Sequence, residues 1–216
     1  RQQRSWSVGD SSVHDREFRL DVNDEEALFS LRLTSATFRY RGAERLFAPA
    51  ALRPPVAHAL VLLSDPQPSD RFLDPCCGSG VIVEERLAYP ARLVTGGDIS
   101  WDAAMVARTN ARAVGRAAIA QWDAGALPLD ASSIDKVTTN LPFGRQVSRP
   151  AEIPGLYRAM VRELCRVVTS TGSLVLLTDQ LPALRHALDE SPFQIERAIP
   201  VSLKGLHPSI IVARRQ

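Results

Sequence analysis

Residues 71–87 read RFLDPCCGSGVIVEERL. An apolar run ends on Asp74, the glycines Gly78 and Gly80 follow, and VIVEERL then resumes a pattern suited to a helix. A strand that passes through a glycine turn into a helix is the opening unit of an open α/β sheet. In such sheets ligands bind outside the carboxyl ends of the strands, near the point where strand order reverses. Two glycines let main chain approach a ligand, and the helix start supplies free N–H groups. A dinucleotide fingerprint needs a further glycine where Val83 stands, and a phosphate loop needs a Gly-Lys-Ser/Thr run that is missing. The turn is therefore unsuited to a pyrophosphate. An ordinary strand–helix turn is the competing reading.

The same rhythm extends outward from this stretch. A helix is expected after LRPP, with Pro54 or Pro55 in its first turn, running to about Leu63. Strand-like runs at 92–99, 117–124, 134–140 and 173–179 alternate with helical stretches at 81–89, 101–114, 155–168 and 181–189. The tail breaks the pattern, since FQIERAIPVSLKG and HPSIIVARR are two β-like runs joined by a short turn. The expected fold class is α/β: a mostly parallel sheet of seven strands, closed by an antiparallel terminal strand, with helices on both faces. Residues 1–48 differ. FRLDV (18–22) and 27–41 flank the turn-like VNDEE and read as a hairpin, too little chain for an independent fold. The expected organisation is a β-rich segment or linker over 1–48, a remnant of or bridge to an upstream domain, and the main domain over 49–216.

Composition narrows the class. The chain has 216 residues, 45% hydrophobic and 23% charged, enough for one well-filled core. No stretch of about 18 apolar residues suggests a membrane span. The first residues, RQQRSWSVGD, lack both an apolar signal core and an initiating Met, so the chain is expected to be a fragment or a processed product. Cys76 and Cys77 are adjacent and Cys165 is distant, a spacing that argues against a disulfide framework and a zinc site and for a reducing, cytoplasmic setting. The net charge of +2 is too small to serve as a nucleic-acid footprint, and the dominance of arginine over lysine reads first as genomic base composition.

Two further strand ends carry polar residues. Asp98 closes the second strand in GGDIS, about 20 residues beyond the glycine turn, placed to accept hydrogen bonds from two ribose hydroxyls. A helix N-cap is its competing role, but Ser100 suits that task and frees Asp98. Asp123, in QWDAGALPL, closes the third strand and is placed to accept from an adenine amino group, with turn-making as the alternative. The fourth strand ends in TTNLPFG (138–144), where Asn140, Pro142 and Phe143 each weaken a strand end. Three local losses in four residues point to a task other than folding.

TTNLPFG resembles the Asp/Asn-Pro-Pro-Tyr/Phe signature of methyltransferases that act on exocyclic or amide nitrogens, and the chemistry accounts for the residue types. An aromatic amine is a poor nucleophile because its lone pair is delocalised. A carboxamide oxygen from Asn140 and the main-chain carbonyl of Leu141 accept both amine protons and draw the nitrogen toward tetrahedral geometry. Pro142 stiffens the turn, and Phe143 offers a stacking face, worth about 1–3 kcal/mol at comparable sites. The competing reading is a proline-aromatic turn that plugs the sheet edge.

The wider set FAPAALRPPVAHAL, FLDPCCGSGVIVEER, GGDIS, QWDAGALPL, TTNLPFGRQ and the closing strand pair resembles the THUMP-domain-linked methyltransferases that form N2-methylguanosine in tRNA. That resemblance spans 27–216 and implies a Rossmann-like class I methyltransferase domain that uses S-adenosyl-L-methionine. It implies that Asp74, Cys77, Gly78 and Gly80 line the cofactor pocket, that Asp98 with Ile99 holds the ribose, and that Asp123 with Ala124 holds the adenine. Asn140, Leu141, Pro142 and Phe143 would take the target guanine, with Asn140 also bordering the cofactor. Arg53, ahead of the LRPP helix, would meet the methionine carboxylate, with capping or a surface role as its alternative. The chain departs from the usual pattern at Cys76 (Met), Val81 (Thr) and Leu141 (first proline). Residues 1–48 are too few for a THUMP domain, so tRNA binding by this stretch alone is expected to be weak. The implied activity is tRNA (guanine-N2-)-methylation, with dependence on an activating partner protein left open. Methylation of DNA adenine or cytosine, or of a protein glutamine, and a non-catalytic RNA-binding subunit are the alternatives.

Overall fold

The computed structural model of the protein describes residues 17–22, 24–32, 46, 52–144, 149–203 and 205–216. The chain divides into two units, Arg1–Arg39 and Tyr40–Gln216. In the first, β1 (Glu17–Val22) pairs antiparallel with β2 (Ala27–Arg32), with Phe18 opposite Leu31 and Leu20 opposite Phe29. The hairpin read from the sequence is thus present over these strands; its extension to residue 41 and the boundary expected at 48/49 lie outside the described residues.

The second unit is an alternation of strands and helices. In order they are α1 (Pro54–Leu63), β3 (Arg71–Asp74), α2 (Val81–Arg86), β4 (Leu93–Asp98), α3 (Trp101–Val114), β5 (Ala118–Gln121) and β6 (Ile134–Asn140). A 3-10 turn at Pro150–Glu152 leads into α4 (Ile153–Val167), followed by β7 (Val168–Thr178), α5 (Leu181–Asp189), β8 (Phe193–Pro200) and β9 (Ser209–Arg215). The sheet order is β5-β4-β3-β6-β7-β9-β8; the first five run parallel, and β9 lies antiparallel to both β7 and β8. This is the expected seven-stranded α/β sheet. Chain order reverses beside β3, whose two neighbours are β4 and β6.

Strand periodicity divides the interior into two cores. Leu174 and Leu176 of β7 enter one, with Leu73, Ile211 and the buried stripe of α4: Ile153, Tyr157, Met160, Val161 and Leu164. Val175 and Leu177 face the other way, with Phe72, Ile210, and the inner faces of α1, α2 and α3. Successive side chains of a strand point to opposite faces, so a strand covered on both sides reads as one continuous apolar run. The helix starts follow sequence as well. Pro54 and Pro55 occupy the first turn of α1, and the Ser100 hydroxyl accepts the Ala103 N–H at 3.3 Å to cap α3.

Three boundaries differ from the sequence reading. The second helix stops at Arg86 and not near 89, the strand expected at 117–124 is confined to 118–121, and β7 begins at Val168. The first has a clear cause. Arg86 is fully buried and curls back on its own C-terminus, donating to the carbonyls of Tyr89 and Pro90 at 3.1 Å each. It also reaches the Gln67 carbonyl at 3.0 Å and Asp70 at 3.1 Å, with its guanidinium 5.6 Å from the Phe72 ring centre. A side chain that takes the carbonyls following a helix replaces its next turn.

Candidate active site

The carboxyl ends of β3, β4 and β6 bring three of the predicted motifs to the switch point. Gly78 and Gly80 adopt positive φ, +52° and +86°, so the turn needs glycine at both places. Gly80 also packs against α3, where a Cβ would fall 3.0 Å from Ala107. At Gly78 a Cβ would meet nothing within 4 Å, so that glycine opens onto space. The turn is tied to its neighbour strand by Cys77 N–H, which donates to the Gly97 carbonyl at 2.8 Å.

Asp98 organises the turn. One carboxylate oxygen accepts the Gly78 N–H at 2.9 Å and the other accepts the Ser100 N–H at 3.0 Å. With the Ser100 hydroxyl capping α3, each carboxylate oxygen keeps acceptor capacity for a ligand hydroxyl. Ile99 beside it is 60% exposed, an apolar surface at the rim of the acid. Asp123 is exposed, and one of its oxygens accepts the Gly125 N–H at 2.8 Å. The turn-making role weighed for it is therefore real, and it leaves the second oxygen for a ligand. Ala124 is buried.

Trp122 locks these pieces together. Its indole N–H donates to the Pro75 carbonyl at 3.0 Å, and its ring lies across β4, where a Cβ on Gly97 would fall 2.3 Å from the ring. Sequence reading passed over this residue; the glycine pair before Asp98 was the one sign that something flat covers the strand.

Asp74 is almost completely buried at the end of β3, and burial pushes its carboxyl up to about 7. The Thr139 hydroxyl and the Cys76 N–H, at 3.3 Å, pull the other way, and the nearby charge of Asp98 adds to the rise. Thr139 comes close enough to favour the charged carboxylate without meeting strict hydrogen-bond geometry. Because the folded state holds this proton more tightly than the unfolded chain, Asp74 favours folding below about pH 4, and that contribution is lost as pH rises through about 7. Asp74→Asn is accordingly expected to flatten the pH dependence between those limits and to raise stability at pH 8 by about 1–3 kcal/mol. Urea titrations of both proteins at pH 5 and pH 8 measure this; equal pH dependence in the two would contradict it.

Burial also pushes the Cys76 and Cys77 thiols well above their ordinary range, with the Asp74 charge next in effect. Both stay protonated near neutral pH, which makes them pocket walls and not nucleophiles. Among the described residues no group of three or more His, Cys, Asp or Glu is arranged to hold a metal ion, and no helix is long and apolar enough to cross a membrane.

Asn140 is the last residue of β6, and its carboxamide oxygen is buried with no hydrogen-bond partner among the described residues. An orphaned buried acceptor costs about 1–3 kcal/mol, so its retention needs a reason. Leu141 leaves the strand with its N–H donated to the Leu177 carbonyl at 3.0 Å, and its side chain is buried. Phe143 is half-buried in the loop, packed against the core that contains Phe72 and Leu177, with the rest of the ring open to solvent. One side of the ring thus does structural work. Gly144, at φ +76°, ends the described part of the loop, and residues 145–148 lie outside it. Arg53 is exposed; its carbonyl accepts from Val56 and Ala57 at the start of α1, and its side chain makes no capping hydrogen bond.

Sequence and structure comparisons identify the family of the domain that carries these residues. The family described as UPF0020: RMKL-like, methyltransferase domain matches residues 41–209. The tRNA (guanine(6)-N2)-methyltransferase of Thermus thermophilus is 32% identical over 205 residues, covering 91% of this chain and 59% of that protein. The human tRNA (guanine(6)-N(2))-methyltransferase THUMP3 is also 32% identical, over 85% of this chain and 39% of its own length. Among solved structures, TrmN from Thermus thermophilus superposes with a TM-score of 0.80 at 27% identity, covering 96% of this chain and 62% of that one. The chain thus spans only about half the length of the curated relatives it matches.

Proposed function

From the premise that this chain belongs to the RMKL-like methyltransferase domain family, we propose that it methylates the exocyclic N2 amine of guanosine in RNA, with tRNA as the substrate. The observation that carries the reading is the orphaned carboxamide oxygen of Asn140 at the switch point of the sheet. S-adenosyl-L-methionine, when bound, supplies an electrophilic methyl carbon. Asp98 at the end of β4 and Asp123 just beyond β5, with Asp74 at the end of β3, suit a ligand that carries ribose hydroxyls and an amine, and Gly78 leaves room for its approach.

Asn140 accepts one proton of the guanine amine through its carboxamide oxygen, and the Leu141 carbonyl accepts the other. Two acceptors on one nitrogen draw it out of conjugation and turn its lone pair away from the ring. The nitrogen becomes acidic as it is alkylated, so the surplus proton passes to water without a strong base. To reach this site the guanosine must leave its stack, and the free side of Phe143 receives it. In this reading residues 49–216 form the methyltransferase domain, 1–48 bridge to an upstream RNA-binding domain, and the protein works in the cytoplasm, where its three free thiols stay reduced.

Mass spectrometry of nucleosides, after incubation with methyl donor and unmodified tRNA, DNA or a protein pool, tests the proposal. N2-methylguanosine in the tRNA arm is expected. Methyladenine or methylcytosine in the DNA arm, or methylglutamine in the protein arm, with none in tRNA, would overturn it.

A further inference from the structure

The loop that follows Asn140 hangs from a line of hydrogen bonds rooted in the core. Tyr157, on the inner face of α4, is 1% exposed, and its hydroxyl lies 2.9 Å from the Pro142 carbonyl oxygen and 2.9 Å from the Thr178 hydroxyl. A carbonyl only accepts, so the single Tyr157 proton goes to Pro142. The Tyr157 oxygen then accepts from Thr178, which is itself fully buried. The Thr178 oxygen in turn accepts the Gln180 N–H at 2.8 Å. Each proton therefore points the same way, from the end of β7 through α4 to the loop. On the other side, the Leu141 N–H is held by Leu177 at 3.0 Å. The Leu141 carbonyl sits between these two anchors, and among the described residues no hydrogen bond reaches it.

We propose that Tyr157, backed by Thr178, is a positioning residue for amine capture, fixing the peptide that aims the Leu141 carbonyl and the Asn140 carboxamide at the substrate nitrogen. The inference rests on the reading of Asn140–Phe143 as the amine-binding element. A tyrosine needed only for its volume is replaceable by phenylalanine, since the ring alone fills its place in the buried core that also holds Ile153 and Val161. Burial also holds the phenol above its ordinary range, so it remains a donor at any pH at which the protein would be assayed.

The test uses the full chain with Tyr157→Phe, Thr178→Val and the double substitution. Displacements of an ångström near reacting atoms cost about 100-fold, so Tyr157→Phe is expected to lower kcat by about 10- to 100-fold. The KM for tRNA and the Kd for S-adenosylhomocysteine should stay within about twofold, with circular dichroism unchanged. Thr178→Val should lower kcat less, and adding it to Tyr157→Phe should cause no further loss, because the line is already cut. An unchanged kcat in Tyr157→Phe overturns the inference, as does a double substitution whose loss equals the product of the single ones. Hydrogen exchange separates this from failure of the functional reading. If the parent transfers no methyl group at all, the amides of Leu141, Phe143 and Gly144 should still exchange faster in Tyr157→Phe, and equal rates in the two proteins overturn the inference by themselves.

Discussion

Asn140→Ala is expected to reduce methyl transfer to guanosine by about 1,000-fold, while affinity for S-adenosylhomocysteine stays within about threefold of the parent. Losing a preorganised partner of a developing charge costs about 100- to 1,000-fold in rate. Here the same substitution also removes half of the grip that rehybridises the amine. Cofactor affinity should survive because the turn is held by hydrogen bonds from Gly78 to Asp98 and from Cys77 to Gly97, neither of which involves the Asn140 side chain. Folding should not suffer either. The carboxamide oxygen has no partner among the described residues, so its deletion relieves a buried acceptor and breaks no bond seen there. Isothermal calorimetry with S-adenosylhomocysteine, beside single-turnover assays on tRNA, separates the two effects. Parallel loss of binding and turnover would refute the assignment, because it would place Asn140 in the cofactor pocket and not against the substrate.

Asp98→Ala should show the opposite profile, with the Kd for S-adenosylhomocysteine raised about 100-fold or more and a much smaller fall in turnover at saturating donor. Two hydrogen bonds from ribose hydroxyls to a charged acceptor are worth about 1.5–3 kcal/mol each. The same carboxylate also gathers the Gly78 and Ser100 N–H groups, so alanine would free the glycine turn as well as remove the ribose contact. Asp98→Asn keeps one acceptor oxygen and should recover part of the affinity. If Asp98→Ala bound S-adenosylhomocysteine like the parent, ribose recognition would have to be reassigned to another strand end.

The alternation of strands and helices was legible because each signal was local. Gly78 and Gly80 mark a turn that only positive φ allows, and paired prolines mark the first turn of α1. The opposed faces of β7 follow from a period of two. Asp98 and Asn140 stood out because a polar residue closes an apolar run. What escaped the reading lies between residues distant in sequence. Nothing near Arg86 announces that its side chain will end its own helix by reaching the Gln67 carbonyl and Asp70 as well as Tyr89. Tyr157 occupies a core position of an amphipathic helix, where any large apolar ring would satisfy the pattern; its role appears only when Pro142 and Thr178, 15 and 21 residues away, close on its hydroxyl. The packing of Phe143 is hidden for the same reason, because the core beneath its loop comes from strands on either side.

The indole that crosses Gly97 gives the pocket an optical signature of its own. Trp101 is exposed and Trp6 lies outside the described residues, whereas Trp122 is 7% exposed and pinned to the glycine turn. With the other two replaced by phenylalanine, emission from a single buried chromophore would register donor entering or leaving in real time, without label and without RNA.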